Sequence, residues 1–171
     1  MIWFSCLAFI IICILLVLLA YTDHKSYILP NRYNALLALF FVILHGAAYF
    51  AFISPIDMIL GCVLAGGLLL IIRHIANKAT GADALGLGDV KLMMAAGLGL
   101  GIPDIFLALS LGSVFGMIHG VILREMAIKK NPKKAPKLSQ INVPAGVGLC
   151  IGIFCVMLYR YHALFLMIGA E

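Results

Sequence analysis

Charged residues are scarce in this chain. Of its 171 residues only 11% are charged while 64% are hydrophobic, and the mean hydropathy is +1.15. Such a chain has too little polar surface to cover a water-soluble globule, so we expect its solvent to be lipid. Every backbone N–H and C=O must then be paired internally, and the long apolar runs do not alternate as barrel strands do. The composition predicts an all-α fold, a polytopic membrane helix bundle.

The residue spacings typical of metal, redox and nucleic-acid sites are also missing. None of the five cysteines forms a CxxC pair, and none of the five histidines stands in an HExxH sequence. Zinc sites and disulfide frameworks depend on such spacings. We therefore expect no metal and no cofactor, and we interpret the cysteines as small apolar residues. The net charge of +5 lacks the motifs of a nucleic-acid protein, so the expected partner is the lipid bilayer.

Six apolar runs, separated by polar breaks, are candidate membrane helices. They cover residues 2–21, 33–53, 57–76, 89–102, 104–123 and 144–168. About 20 apolar residues cross the hydrocarbon core, although the fourth run is short and rich in glycine. No Lys or Arg precedes the first run and no small-residue cleavage site closes it, so a retained span is favoured over a signal peptide. The sequence predicts a single domain, 1–171, with about six transmembrane helices.

Basic residues are concentrated in three of the breaks. The longest break, 124–142, holds five lysines. The other two breaks add Lys25, Arg32, Arg73 and Lys78. The breaks on the opposite side carry Asp57 and Asp104 but no Lys or Arg. This positive-inside bias predicts that the basic breaks are cytoplasmic and that both termini lie outside the cytoplasm, with Arg160 as the one basic residue on the wrong side.

Acidic residues are few, and an acid near a membrane span is costly unless it has a function or a partner. Asp57 and Asp104 stand at the starts of spans, where helix capping is the ordinary explanation. Three others have plain explanations as loop, turn or terminal residues, namely Asp83, Glu125 and Glu171. Asp23 and Asp89 remain, each at the cytoplasmic end of a predicted span. They are the candidate functional acids.

The surroundings of Asp89 are rich in glycine. Gly86 and Gly88 precede it and would let the backbone approach closely or adopt unusual conformations. Later glycines, Gly97, Gly99 and Gly101, are explained by helix packing alone. Two spans separate Asp23 from Asp89, so both should reach the same membrane face. Two carboxylates that converge share one proton, and a water held between them can be activated for hydrolysis. His24 is a candidate supporting group beside Asp23.

Three stretches resemble a known family. DHKSYILPNRYN, from Asp23, resembles the type 4 prepilin peptidase pattern of an Asp followed by Ile-Pro-Asn, with Leu29 in place of Ile. GLGDVKL, residues 86–92, matches the Gly-x-Gly-Asp-x-Lys-Leu signature at every fixed place. INVPAGVGLCIG, residues 141–152, is similar to the Ile-Pro-Phe-Gly-Pro segment but reads Pro-Ala-Gly. The chain thus resembles the GxGD membrane aspartyl proteases of that family.

The resemblance implies that Asp23 and Asp89 are the catalytic pair of an aspartic endopeptidase. It implies substrate-binding or supporting roles for Gly86, Gly88, Lys91, Pro30 and Asn31, and no metal. The expected substrates are prepilins or pseudopilins, whose short basic leader precedes an apolar helix, cleaved at the cytoplasmic face of the bacterial inner membrane. The long CxxC-containing insertion of many members is missing, so this chain looks like the short, peptidase-only form.

Two alternatives stay open. A presenilin or signal-peptide-peptidase type of intramembrane protease also uses Gly-x-Gly-Asp, and its Pro-Ala-Leu motif is close to Pro144, Ala145 and Gly146. Leu-Pro-Asn after Asp23, Lys91 after Asp89 and the small size favour the prepilin peptidases. The second alternative is an ion-coupled small transporter in which the two aspartates bind an ion or proton.

Overall fold

The computed structural model describes residues 2–81, 85–130 and 143–168. Within these ranges the chain forms helices and no strand. The helices are α1 (Ile2–Ser26), α2 (Asn31–Ala47), α3 (Pro55–Thr80), α4 (Leu87–Leu100), α5 (Asp104–Lys130) and α6 (Ala145–Ile168). The predicted all-α helix bundle is confirmed. Asp83, the lysine-rich stretch 131–142 and Glu171 lie outside the described residues.

The helix bounds differ from the predicted runs where the backbone turns. The second run was expected to reach residue 53, but α2 ends at Ala47 because Tyr49 and Phe50 adopt positive φ angles of 52° and 56°. In the opposite direction, α1 continues past residue 21 to Ser26 and α3 continues to Thr80. Apolar composition therefore located the spans, whereas turn conformations and polar extensions decided where the helices end.

Membrane-spanning length is met by four of the described helices. They contain the apolar spans Trp3–Ser26, Pro55–Ala79, Asp104–Lys129 and Ala145–His162. The other two are shorter, with 17 residues in α2 and 14 in α4, or about 26 and 21 Å at a rise of about 1.5 Å per residue. The chain is a membrane protein whose two short helices are packed among the long ones.

The short helix α4 occupies the centre of the bundle. It packs against α2, α3, α5 and α6, while the other large interfaces join α5 to α6 and α1 to α2 and α6. Glycines allow the closest approaches. A Cβ on Gly97 would lie 2.5 Å from the backbone of Gly61 in α3, and one on Gly99 would lie 2.1 Å from the ring of Phe41 in α2. Helix packing is thus a sufficient explanation for Gly97 and Gly99 of α4.

Contacts between distant residues define two ends of the bundle. At one end, which we call the Asp89 end, Lys91 at the start of α4 bonds to Asn31 at the start of α2. At the other, which we call the Arg160 end, the Arg160 guanidinium donates to the carbonyl of Phe52 at 2.7 Å and lies 3.5 Å from the Asp104 carboxylate. Successive helices run between the two ends in alternating directions.

Polar groups at the Arg160 end have partners of their own. The Ser54 hydroxyl donates to the Asp57 carboxylate at 2.8 Å, and the Asp57 N–H donates back to the Ser54 hydroxyl at 3.1 Å. Deeper in this end, the Tyr161 hydroxyl donates to the Gly99 carbonyl, and His45 Nε2 lies 2.9 Å from the same oxygen. Capping therefore accounts for Asp57, as its position before a span predicted.

Candidate active site

Asp23 lies in the polar last turn of α1, beyond the apolar run. Its side chain is buried, with only 5% of its surface exposed. Tyr27, with a φ of 54°, reverses the chain directly after the helix. Leu29 is then buried, and Pro30 takes the extended backbone (φ −63°, ψ 130°) from which α2 starts. The Leu-Pro-Asn segment thus folds the chain back so that the start of α2 lies beside Asp23.

Asp89 lies in the first turn of α4, the central helix. Gly86 caps this helix, and the Asp89 N–H donates to the Gly86 carbonyl at 3.2 Å. The side chain is 8% exposed, and Oδ1 is buried without a hydrogen-bond partner among the described residues. A buried, unpaired carboxylate oxygen is costly in a folded protein. Such an atom is therefore a candidate for binding a proton, a water or a substrate.

The two glycines before Asp89 are explained by close contacts that leave no room for a side chain, not by an unusual backbone conformation. Gly86 has an ordinary φ of −65°, but a Cβ there would lie 3.0 Å from Asp89 Oδ2. A Cβ on Gly88 would lie 2.8 Å from the Cβ of Leu29. In addition, the Asn34 side-chain amide approaches the Gly88 carbonyl at 3.4 Å. The turn between α1 and α2 consequently sits directly on the start of α4, which brings the two aspartates together.

A pocket of about 240 Å³ contains both aspartates. It is lined by Asp23, Tyr27, Ile28, Leu29, Asn31, Gly86, Leu87, Gly88, Asp89 and Lys91. Six of the seven predicted site residues are in this set, and Pro30 is not. The two carboxylates are close enough to affect each other electrostatically. The structure therefore brings the two predicted acids into one polar pocket at one end of the bundle.

Lys91 bonds across the pocket rim rather than to the adjacent acid. Its Nζ donates to Asn31 Oδ1 at 2.8 Å. The pair also forms the mouth of a second, mostly apolar groove of about 380 Å³ between α2, α3 and α4. The walls of that groove are formed by Asn34, Ala35, Ala38, Cys62, Met94, Ala95 and Leu98. A polar pocket and an apolar groove therefore meet at Asn31 and Lys91.

Two further elements reach Asp23 that the sequence did not indicate. Val147, in the first turn of α6, donates its N–H to Asp23 Oδ2 at 3.1 Å. His119 of α5 packs edge-on against His24, with ring centroids 5.5 Å apart, and both imidazoles lie within electrostatic reach of Asp23. His24 was expected as a neighbour, but nothing in the apolar run that contains His119 indicated a place near the site.

A family model described as the type IV leader peptidase family matches residues 10–121, more than half of the chain. The chain belongs to the type IV leader peptidase family. No curated protein and no solved structure matches it. The family suggested by the resemblance is confirmed, and the chain is a peptidase by family. The matched region of this leader peptidase includes both aspartates and ends before α6. The Val147 N–H of α6, which bonds to Asp23, therefore lies outside it.

The arrangement is suited to general acid–base hydrolysis. Two neighbouring carboxylates oppose each other's ionisation, so the pair tends to hold a single proton. One oxygen can then accept a proton from water while the other donates one to a carbonyl. No group of three or more His, Cys, Asp or Glu side chains with metal-binding geometry occurs in the part of the chain that the structure describes.

Proposed function

We propose that this chain is an aspartic endopeptidase that removes the leader from prepilin or pseudopilin precursors. The observation that carries the proposal is that Asp23 and Asp89, which are 89 − 23 = 66 positions apart, are both buried and line one pocket. Membership of the leader peptidase family supports the reaction class. The acids of α3 and α5 are less suitable, because Asp57 and Asp104 already have partners at the opposite end.

In the proposed mechanism the pair begins with one proton. The ionised carboxylate takes a proton from a water molecule, whose oxygen attacks the scissile carbonyl. The protonated carboxyl donates its proton to the carbonyl oxygen, which gives a neutral tetrahedral intermediate. Collapse of the intermediate breaks the C–N bond, the amine takes the proton from the first carboxyl, and the second recovers its own from the intermediate. No covalent enzyme intermediate and no metal take part.

We place the Asp89 end at the cytoplasmic face of the bacterial inner membrane. The helix ends and starts there contribute Lys25, Arg32, Lys78, Lys91 and Lys129, whereas the opposite end has Asp57 and Asp104 with Arg160. Positive loops are retained in the cytoplasm. A leader that is basic and stays in the cytoplasm would reach the polar pocket from that side. The apolar groove beyond Asn31 and Lys91 would suit the apolar residues that follow the cleavage point.

The test is cleavage of a candidate prepilin by the purified full-length protein in detergent. We expect leader removal by the wild type and its loss in both Asp23→Asn and Asp89→Asn, with each variant still inserted and abundant. A chelator such as EDTA should leave cleavage unchanged. Activity in either asparagine variant would refute the aspartic mechanism, and activity that a chelator abolishes and zinc restores would refute the absence of a metal.

The same preparation separates the alternatives. Cleavage within the apolar segment, read by mass spectrometry of the products, would indicate a presenilin-like protease. Proton flux into liposomes that is lost with either Asp variant, without any cleavage of prepilin, would indicate a transporter. Leader removal at the boundary of the basic and apolar segments supports the proposal.

A further inference from the structure

The first turn of α6 surrounds the carboxylate of Asp23. Oδ2 accepts the Val147 N–H at 3.1 Å, and the backbone N–H of Gly146 lies within electrostatic reach of this carboxylate. The first four N–H groups of a helix have no partner within it, and they attract negative charge. α6 is 24 residues long and begins at Ala145. Asp23 therefore accepts a hydrogen bond from the Val147 amide of α6, which lies 124 positions away in the sequence.

Gly146 makes this approach possible. A Cβ at that position would lie 2.8 Å from Asp23 Oδ2, 2.9 Å from Asp23 Cγ and 3.0 Å from Leu29 Cδ1. The Asp23 side chain is short and its helical turn is buried. Its carboxylate therefore could not move away from a Cβ at position 146 and still accept the bond from Val147. Any side chain larger than hydrogen at position 146 would displace the Asp23 carboxylate.

The two aspartates consequently have unequal surroundings. The Asp23 carboxylate accepts a hydrogen bond from the Val147 N–H of α6 and has the Gly146 N–H within electrostatic reach. The Asp89 carboxylate has the Gly86 backbone within electrostatic reach, and its Oδ1 has no hydrogen-bond partner among the described groups. Hydrogen bonds from N–H groups favour the charged form of a carboxylate, and an unpaired oxygen is better satisfied by carrying the shared proton.

We propose that the first turn of α6 holds Asp23 as the ionised member of the pair, with Gly146 as the positioning residue, and leaves Asp89 to carry the proton. This inference rests on the proposed aspartic mechanism and assigns its two roles. Asp23 takes the proton from water, and Asp89 donates to the scissile carbonyl. The charged and titratable groups facing Asp23 are Asp89 from α4, His119 from α5, His24 from its own helix and the buried thiol of Cys150 from α6, which also contributes backbone amides.

The test compares Gly146→Ala with two matched glycine variants in the full-length protein. Gly146→Ala should lower the cleavage rate at neutral pH at least about tenfold. It should also move the acidic limb of the pH–rate profile to higher pH, because the displaced carboxylate loses donors that stabilise its charge. Gly152→Ala is six residues further along α6, beyond its first turn, where a Cβ would lie 2.4 Å from the Ala108 carbonyl oxygen. Gly67→Ala meets nothing within 4 Å.

The two comparison variants isolate positioning from packing. Gly152→Ala should lower the melting temperature in detergent, while its cleavage per folded molecule keeps the wild-type pH profile. Gly67→Ala should leave both quantities unchanged. Gly146→Ala combined with Leu29→Ala removes the contact with Leu29 Cδ1 but not the contact with the carboxylate, so the defect should persist. Recovery of wild-type cleavage in that double variant would overturn the inference.

Val147→Pro provides a second route if Gly146→Ala does not fold. It deletes the N–H that bonds to Asp23 without removing a bond within α6, because proline is tolerated in the first helical turn. The same displacement of the acidic limb is expected. If Asp23→Asn is inactive but the folded position-146 or position-147 variant has a wild-type rate and profile, the role of α6 is wrong and the proposed function stands. An active Asp23→Asn would instead refute the proposed function.

Discussion

The two ends of the bundle use aspartate in opposite ways. At the Asp89 end, Asp89 in the first turn of α4 is buried, lines a pocket and has an oxygen without a described partner. At the Arg160 end, Asp104 in the first turn of α5 lies 3.5 Å from Arg160, and Asp57 in the first turn of α3 bonds to Ser54. All three acids occupy the same place in their helices, so helix position alone does not distinguish them.

Their neighbours make the difference. An acid that has a cation or a hydroxyl for itself contributes to the fold, because its charge is compensated where it lies. An acid that lies beside another carboxylate and has an oxygen without a described hydrogen-bond partner is costly to bury, and a protein retains it for chemistry. The contrast predicts that substitutions at the two ends will separate activity from stability.

The largest effect is expected when the two first-turn aspartates of α4 and α5 are compared. Asp89→Asn should reduce prepilin cleavage by roughly 10³-fold or more, because the pair loses a carboxyl group that transfers protons. Its thermal stability in detergent should be unchanged or higher, because a buried acid without a described partner for Oδ1 is replaced by a neutral amide. The measurements are initial cleavage rates and melting temperatures of the same preparations.

Asp104→Asn is the matched control at the other end. It should cost about 1 kcal/mol of stability, since Arg160 loses a partner in a partly exposed pair. Cleavage per folded molecule should stay within about twofold of the wild type, because this end does not reach the pocket. Loss of cleavage in Asp104→Asn at unchanged stability would show that the division between the two ends is wrong.

A smaller effect is expected at the polar cluster of the Arg160 end. Tyr161→Phe removes the hydroxyl that donates to the Gly99 carbonyl, while His45 remains 2.9 Å from that oxygen. We expect a loss of about 1 kcal/mol in the free energy of unfolding and normal cleavage. Tyr159→Phe is the control, because Tyr159 is 70% exposed and its change should leave the unfolding curve in place. Equal losses in both variants would contradict the role given to the buried hydroxyl.

The smallest effect is expected at the rim of the pocket. Lys91→Gln should lower cleavage a few-fold, and Asn31→Ala should have a similar effect, because the two side chains bond to each other at 2.8 Å. The double variant should cleave no more slowly than the less active of the two single variants, as expected for two residues that act as a unit. Lys91→Arg retains the positive charge. Normal cleavage by the Lys91→Arg variant together with reduced cleavage by the Lys91→Gln variant would indicate that Lys91 is a membrane anchor. Independent, additive losses would contradict the coupling.

Local chemistry was enough to predict much of the fold. Apolar runs of membrane length can only become helices in lipid, so the run from residue 2 became α1 and the run from 104 became α5. The same reasoning placed Asp23 and Asp89 at one end, because two spans, an even number of crossings, separate them. The prediction for residues 48–53 failed, since apolar composition carries no information about the positive φ angles that end α2.

The site was predictable only as far as its motifs extend. Asp23, Asn31 and Asp89 follow from acids and polar residues next to membrane spans and from the family resemblance, and the structure brings them into one pocket. His119 and the amides of residues 146 and 147 could not be predicted. A single histidine within an apolar helix and a backbone N–H have no distinctive signal in one sequence.

The sequence by itself determined the solvent, the helical class and the shared end of the two acids, since each depends on residue type and spacing along the chain. The tertiary structure alone decided which acid receives donors. Asp23 meets the first turn of α6 through a contact between residues 124 positions apart, and Gly146 leaves room for its carboxylate. Such a meeting depends on the packing of whole helices against one another, which no local pattern specifies.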